Sequence, residues 1–148
     1  MATRSTIAIE LADGKVKQVY CHWDGYLDHN GDILLNHYSD PLKAEAMITL
    51  GDISSLAPDY DPGNDDHSFD SPKLGVTIYY GRDRGETDVG YRLFHDFEHY
   101  KRDHQYQEYE YILRNDGKWY VSCYERPYVL LSDAIADEMI EEELAEDE

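Results

Sequence analysis

The sequence predicts a single α+β domain: an antiparallel sheet of about four to six strands, a helical pair over 26–50 on one side, and an acidic C-terminal helix. Two observations carry the sheet. Alternating apolar residues flank Asp13-Gly14 and again Asp116-Gly117, and Asp-Gly between alternating runs is a strong hairpin signal. A third carries the helices: after Trp23 the apolar period lengthens, and Asp40-Pro41 then offers a cap with proline at the first helical position. With 148 residues and no internal repeat, one domain is expected.

In chain order, "STIAIEL" places Ile7, Ile9 and Leu11 on one face, and "KVKQVYCHW" does the same for Val19, Cys21 and Trp23. A strict two-residue turn does not put both sets on the same face, so a three-residue loop or a bulge is expected at Asp13-Gly14. Trp23 reads as a core anchor at a strand end. Tyr26, Ile33, Leu34 and Tyr38 fit a helix weakened by Gly31, and "PLKAEAMITLG" fits a second one ending near Gly51. Residues 57–72 hold three prolines, a glycine and five aspartates and read as an exposed acidic loop. "KLGVTIYYG" (73–81) reads as a third strand, and Phe94, Phe97 and Tyr100 suit one face of a short helix. "YEYILRNDGKWYVSCY" is the clearest hairpin, and 132–148 reads as an amphipathic helix with a fraying end, capped by Ser132, with an apolar stripe of Ile135, Ala136, Met139, Ile140 and Leu144.

Charge narrows the partner class. Thirteen Lys and Arg face 32 Asp and Glu, a net charge of −19. Such a chain repels phosphate backbones and anionic membranes, so direct nucleic-acid binding and membrane docking are disfavoured and a basic protein is the natural partner. Cys21 and Cys123 give no disulfide framework, no signal-type segment opens the chain, and no apolar run reaches the ~18 residues of a membrane span. A cytoplasmic location is expected.

Two stretches suggest metal chemistry. In "YCHWDGYLDHNGDILLNHY", alternation turns His22 away from Cys21, while Asp28, Asn30 and Asp32 lack the ligand order and closing glutamate of a calcium loop. His29 and His37 lie too far apart to share a small ion by themselves. "HDFEH" fits the H-x-x-E-H pattern: on a helix His95 and His99 would face the same side as zinc ligands, with Glu98 as general base of a metal-dependent hydrolase. The chemistry needs a third protein ligand, which His104 or Glu108 could supply only by construction, and short patterns arise by chance in a chain rich in acids and histidines. No nucleophile elbow and no phosphate-binding glycine loop is present, so no catalytic residues and no cofactor are expected.

What stands above background is acid and tyrosine. Residues 132–148 hold nine acids and no base. A helix fixes Asp133, Asp137, Glu138, Glu141, Glu142 and Glu143 in rows, and the 57–72 loop adds Asp59, Asp61, Asp65 and Asp66. Fixed carboxylate rows repel one another; one use for them is to imitate duplex DNA, which carries one negative charge per ~1.7 Å of axis. Fourteen tyrosines suit both sheet packing and recognition. Tyr109, Tyr111, Tyr120 and Tyr124 are expected to share one face of the C-terminal hairpin as partner anchors.

The segment "IAIELADGKVKQVYCHWDGYLDHNGDILLNHY", with "LGDISSL" and "EYEYILRNDGKWYVS", resembles a group of small uncharacterised accessory proteins of bacteriophages and prophages. The resemblance implies a setting in the bacterial cytoplasm, where such products bind and inhibit host enzymes or defence nucleases. Charge, tyrosines and resemblance together predict a non-enzymatic inhibitor that blocks a basic host protein, such as a nuclease or another nucleic-acid-binding enzyme. A structural or assembly protein is the remaining expectation.

Overall fold

A computed structural model describes residues 2–104 and 106–146, with residues 142–146 as backbone only. Strand β1 (Ser5–Glu10) pairs antiparallel with β2 (Val16–Cys21) through a register that sets Ile7 opposite Val19. The turn between them is a three-residue loop: Leu11 N–H donates to the Lys15 carbonyl at 2.7 Å, and Gly14 takes φ +89°. The hairpin of β6 (Tyr109–Leu113) and β7 (Trp119–Cys123) repeats the device, closing Arg114 on Lys118 with Gly117 at φ +78°. A left-handed residue completes both loops, which is why glycine follows aspartate in each.

Between the hairpins lie a π-helical turn (Leu27–Gly31), α1 (Asp32–His37) and α2 (Pro41–Thr49), where the Asp40 carboxylate accepts from Leu42 N–H at 3.0 Å as the helix cap. Then come β3 (Ile53–Ser55), β4 (Ile78–Tyr79), β5 (Arg92–Phe94) and α3 (Phe97–Asp103). After β7, β8 (Val129–Leu130) runs directly into α4 (Leu131–Glu146).

Among the described residues the eight strands form one sheet in the order β4-β3-β2-β1-β6-β7-β8, with β5 also on β2. The class is α+β, with more strands than the four to six expected. The sheet is mixed rather than antiparallel, because β1 runs parallel to β6 and β2 parallel to β3. Strands of two or three residues are too short to show periodicity, and this is why β3, β5 and β8 escape the sequence. The strand expected over 73–81 shrinks to Ile78–Tyr79.

Both faces of the sheet are covered. One face packs Ile7, Val19, Tyr111 and Val121 against Leu34, Met47, Ile48 and Leu131 from α1, α2 and α4. The other packs Ala8, Val16 and Ile112 against Phe94, Phe97 and Tyr100 near α3. Central β1 is therefore buried from Ser5 to Ile9. Tyr38, Tyr79, Tyr100 and Tyr111 are fully buried. Three of these donate their hydroxyls to loop or helix carbonyls: Tyr38 to Ala57 (2.8 Å), Tyr79 to Met47 (2.7 Å) and Tyr111 to Gly25 (2.6 Å). Part of the tyrosine excess thus ties connections to the core, each bond contributing about 1 kcal/mol. Trp23, expected in the core, is 44% exposed and lies edge-on to His22. Among the described residues no helix is long and apolar enough to cross a membrane.

Candidate acidic and aromatic interface

The residues expected to meet a partner separate into two groups at opposite edges of the sheet. The loop carrying Asp59, Asp61, Asp65 and Asp66 adjoins β3 and β4, whereas α4 follows β8. Six strand spacings of ~4.8 Å put these edges about 29 Å apart along the sheet. The loop aspartates are also largely engaged by their own surroundings. Asp65 lies 2.6 Å from Lys73, whose hydrogen bond and charge lower its pKa; Asp59 lies 4.0 Å from Lys43; Asp61 accepts from Gly63 N–H at 2.8 Å. Asp66 is exposed.

A buried histidine pins this loop. His67 Nδ1 accepts from Lys73 N–H at 3.0 Å, so its proton sits on Nε2, 3.1 Å from the Asp83 carboxylate. Burial opposes ionisation of Asp83, yet bonds from Arg82, Tyr79 N–H and His67 keep its pKa below the ordinary carboxylate value. Arg82 also donates to the Thr77 carbonyl at 3.0 Å and stacks over Tyr79.

The four hairpin tyrosines do not share a face. Register pairs Tyr111 with Val121 and Ile112 with Tyr120, so Tyr120 points to the side opposite Tyr109 and Tyr111. Tyr111 is fully buried and touches no partner; Tyr120 donates to Asp116 at 2.5 Å. Tyr109 and Tyr124 remain together, with ring centroids 5.5 Å apart. Burial first, then the neighbouring Tyr124, pushes the Tyr109 hydroxyl upward in pKa.

Beside Tyr124, the structure adds Tyr106, Gln107 and Glu125, which the sequence did not single out. Tyr106, Gln107, Glu108, Tyr124 and Glu125 line a shallow concavity of about 400 Å3. Tyr124 (φ 52°) and Glu125 (φ 64°) occupy both central positions of a turn closed by Arg126 N–H on the Cys123 carbonyl at 3.1 Å. Two left-handed central residues define a turn that normally selects Asn-Gly, so Tyr-Glu gives no turn signal in sequence. Tyr124 N–H donates to the Glu108 carbonyl at 2.7 Å, which fixes one wall against the other. Across the concavity, the Tyr106 hydroxyl donates to the Lys101 carbonyl at 2.8 Å, and its ring lies 4.4 Å from that of His104. Among the described residues neither Glu108 nor Glu125 forms an ion pair.

Among the described side chains of helix α4, those at its beginning pack on the first core. Leu131 is buried and Ala134 and Ile135 are partly buried against the first core, but Met139 (58%) and Ile140 (53%) are exposed, as are Asp133, Asp137 and Glu141. Of the expected apolar stripe, Ile135 packs while Ala136, Met139 and Ile140 are exposed, and the side chain of Leu144 lies outside the described residues. The helix also starts at Leu131, with Ser132 inside its first turn rather than capping it. The side chains of Glu142 and Glu143 lie outside the described residues. Seven acids over 16 helical residues, a length of ~24 Å, give one carboxylate per ~3.4 Å of axis, close to the ~3.4 Å phosphate spacing along one DNA strand.

The H-x-x-E-H residues take other roles. Asp96 caps α3 in an extended conformation and accepts from His99 N–H at 2.8 Å, so His95 lies off the helix, against the expectation that both histidines ride on it. His99 Nδ1 accepts from His95 N–H at 3.0 Å and its Nε2 lies 3.1 Å from Asp103, which occupies both ring nitrogens. Glu98 is exposed, 3.6 Å from Lys101. Among the described residues no three His, Cys, Asp or Glu side chains group to hold a metal. In the 20–38 segment Cys21 is buried, its thiol pushed up to about 12 by desolvation, and Asn30 donates to its sulfur at 3.4 Å. His22 instead faces Tyr20, with Nδ1 2.7 Å from the hydroxyl.

No family model, curated protein or solved structure matches this chain.

Proposed function

We propose that this protein is a non-enzymatic binder that presents carboxylates and tyrosines to a basic surface of another protein and competes there with nucleic acid. The observation that carries the reading is α4, a 16-residue helix with Asp133, Asp137 and Glu141 exposed and with acids at the phosphate spacing of one DNA strand. Tyr109 and Tyr124, with ring centroids 5.5 Å apart, supply large aromatic area at small entropic cost. In this reading the chain is an inhibitor of the phage type, acting in the bacterial cytoplasm on a nuclease or another nucleic-acid-binding enzyme. A net charge of −19 steers such an encounter and makes it fast and salt-sensitive.

The test is retention of bacterial proteins on the immobilised chain at low and high salt, with identification by mass spectrometry. Duplex DNA serves as competitor, beside a variant with Asp137, Glu138, Glu141, Glu142 and Glu143 changed to the corresponding amides. The reading expects a nucleic-acid-binding protein that is lost with salt, displaced by DNA and not held by the variant. Retention indifferent to all three changes overturns it.

A further inference from the structure

The concavity between Tyr106 and Tyr124 has the chemistry of a site for one particular side chain. Tyr106 and Tyr124, 49% and 58% exposed, line it together with Gln107, Glu108 and Glu125. Large exposed aromatics are costly to leave in water, and here two of them flank one hollow. Both are held in place. The Tyr106 ring rests against His104, itself buried and bonded to Glu110, and its hydroxyl is tied to the Lys101 carbonyl. Tyr124 lies against Tyr109 on a turn that its own N–H ties to Glu108. A wall fixed before binding loses little entropy on binding.

We propose that this cup receives a single arginine side chain of a basic partner protein. Tyrosine faces attract a cation through the ring quadrupole, and a guanidinium adds flat stacking that an ammonium lacks. The lining residues Glu108 and Glu125, with no ion pair to their own chain among the described residues, bring two carboxylates that can accept the forked N–H groups. Gln107 offers a further acceptor. A divalent cation fits less well, since no three ligating side chains group among the described residues. The proposal rests on the reading that the partner is basic, and it adds where one basic residue anchors and of which type.

The experiment is a titration of 15N-labelled full-length protein with arginine amide and, separately, lysine amide at low salt, with polylysine as a control for general attraction to cations. Two variants accompany the native chain: the cup pair E108Q/E125Q, and a helix set D137N/E138Q/E141Q. Support consists of arginine amide shifting the amides of residues 106–109 and 124–126, with binding about tenfold weaker in the cup pair and within about twofold of native in the helix set. If the shifts fall on α4 and vanish in the helix set alone, the cup is overturned while the basic-partner reading stands. Equal response to lysine amide overturns the guanidinium assignment. Polylysine binding without any response to arginine amide overturns the cup. Failure of polylysine together with arginine amide overturns both proposals.

Discussion

His104 and Glu110 form a bonded pair beneath α3 with both side chains closed to water. Glu110 comes from the middle of the sheet and His104 from the end of α3, so the pair links the two layers of the second core. Tyr128 donates to the same carboxylate at 3.3 Å and its hydroxyl lies 3.2 Å from that of Tyr100. The pair also backs Tyr106, one wall of the concavity.

Removing one member strands the other without its partner. H104A is expected to cost about 3–5 kcal/mol in urea unfolding, because Glu110 stays buried without its partner. The H104L/E110L double variant should cost less than the sum of the single changes. Strict additivity in that cycle would show that the two side chains do not act as a pair.

Cys21 and Cys123 should differ in reactivity. Desolvation pushes the buried Cys21 thiol to about 12, from an ordinary 9.0. At pH 8 a thiol reagent should label Cys123, which is half-buried, and reach Cys21 only on unfolding. Since the folded value is raised, the contribution to stability is complete below pH 9.0 and is lost as pH rises toward about 12. C21A should flatten that part of the alkaline stability curve; labelling of Cys21 at the rate of a denatured thiol would refute its burial.

The 57–72 loop should open in acid. Asp83 has a lowered folded value, so its contribution is present above the ordinary 3.8 and is lost as pH falls through the folded value. Limited proteolysis is expected to spare the loop at neutral pH and to cut it in D83N. Equal cleavage of D83N and the native chain would show that the His67–Asp83 bond does not hold the loop.

Along α4, stability should depend on position. L131A is expected to cost about 2–5 kcal/mol, as a fully buried side chain in the first core. M139A and I140A, both exposed, should change unfolding by less than about 0.5 kcal/mol. A large loss at Met139 or Ile140 would mean that the helix packs along its whole length.

The two hairpins were legible because Asp-Gly and alternation act locally, and Asp40-Pro41 marked α2 for the same reason. The shared face expected of the hairpin tyrosines failed, because the three-residue loop closing Arg114 on Lys118 opposes Tyr111 to Val121 and Tyr120 to Ile112 and so turns Tyr120 to the other side. What left no local trace was set by contacts between distant segments. Arg92–Phe94 becomes a strand only because β2 has a free edge there. Asp96 outcompetes continuation of the helix toward His95, which undoes the H-x-x-E-H geometry. The concavity depends on a Tyr-Glu turn whose residues disfavour that conformation, so surrounding structure must impose it.

The parallel seam between β1 and β6 has a consequence for synthesis. Ile7 waits for Tyr111, about a hundred residues later, before the centre of the sheet can close. At ~5–20 residues per second, the nascent chain carries one unpaired edge of its first hairpin for roughly 5–20 s. That edge is rich in β-branched and apolar residues, the kind that recruits neighbouring strands. Crowded polysomes, where identical nascent chains lie side by side, are therefore where this fold is most exposed to intermolecular pairing.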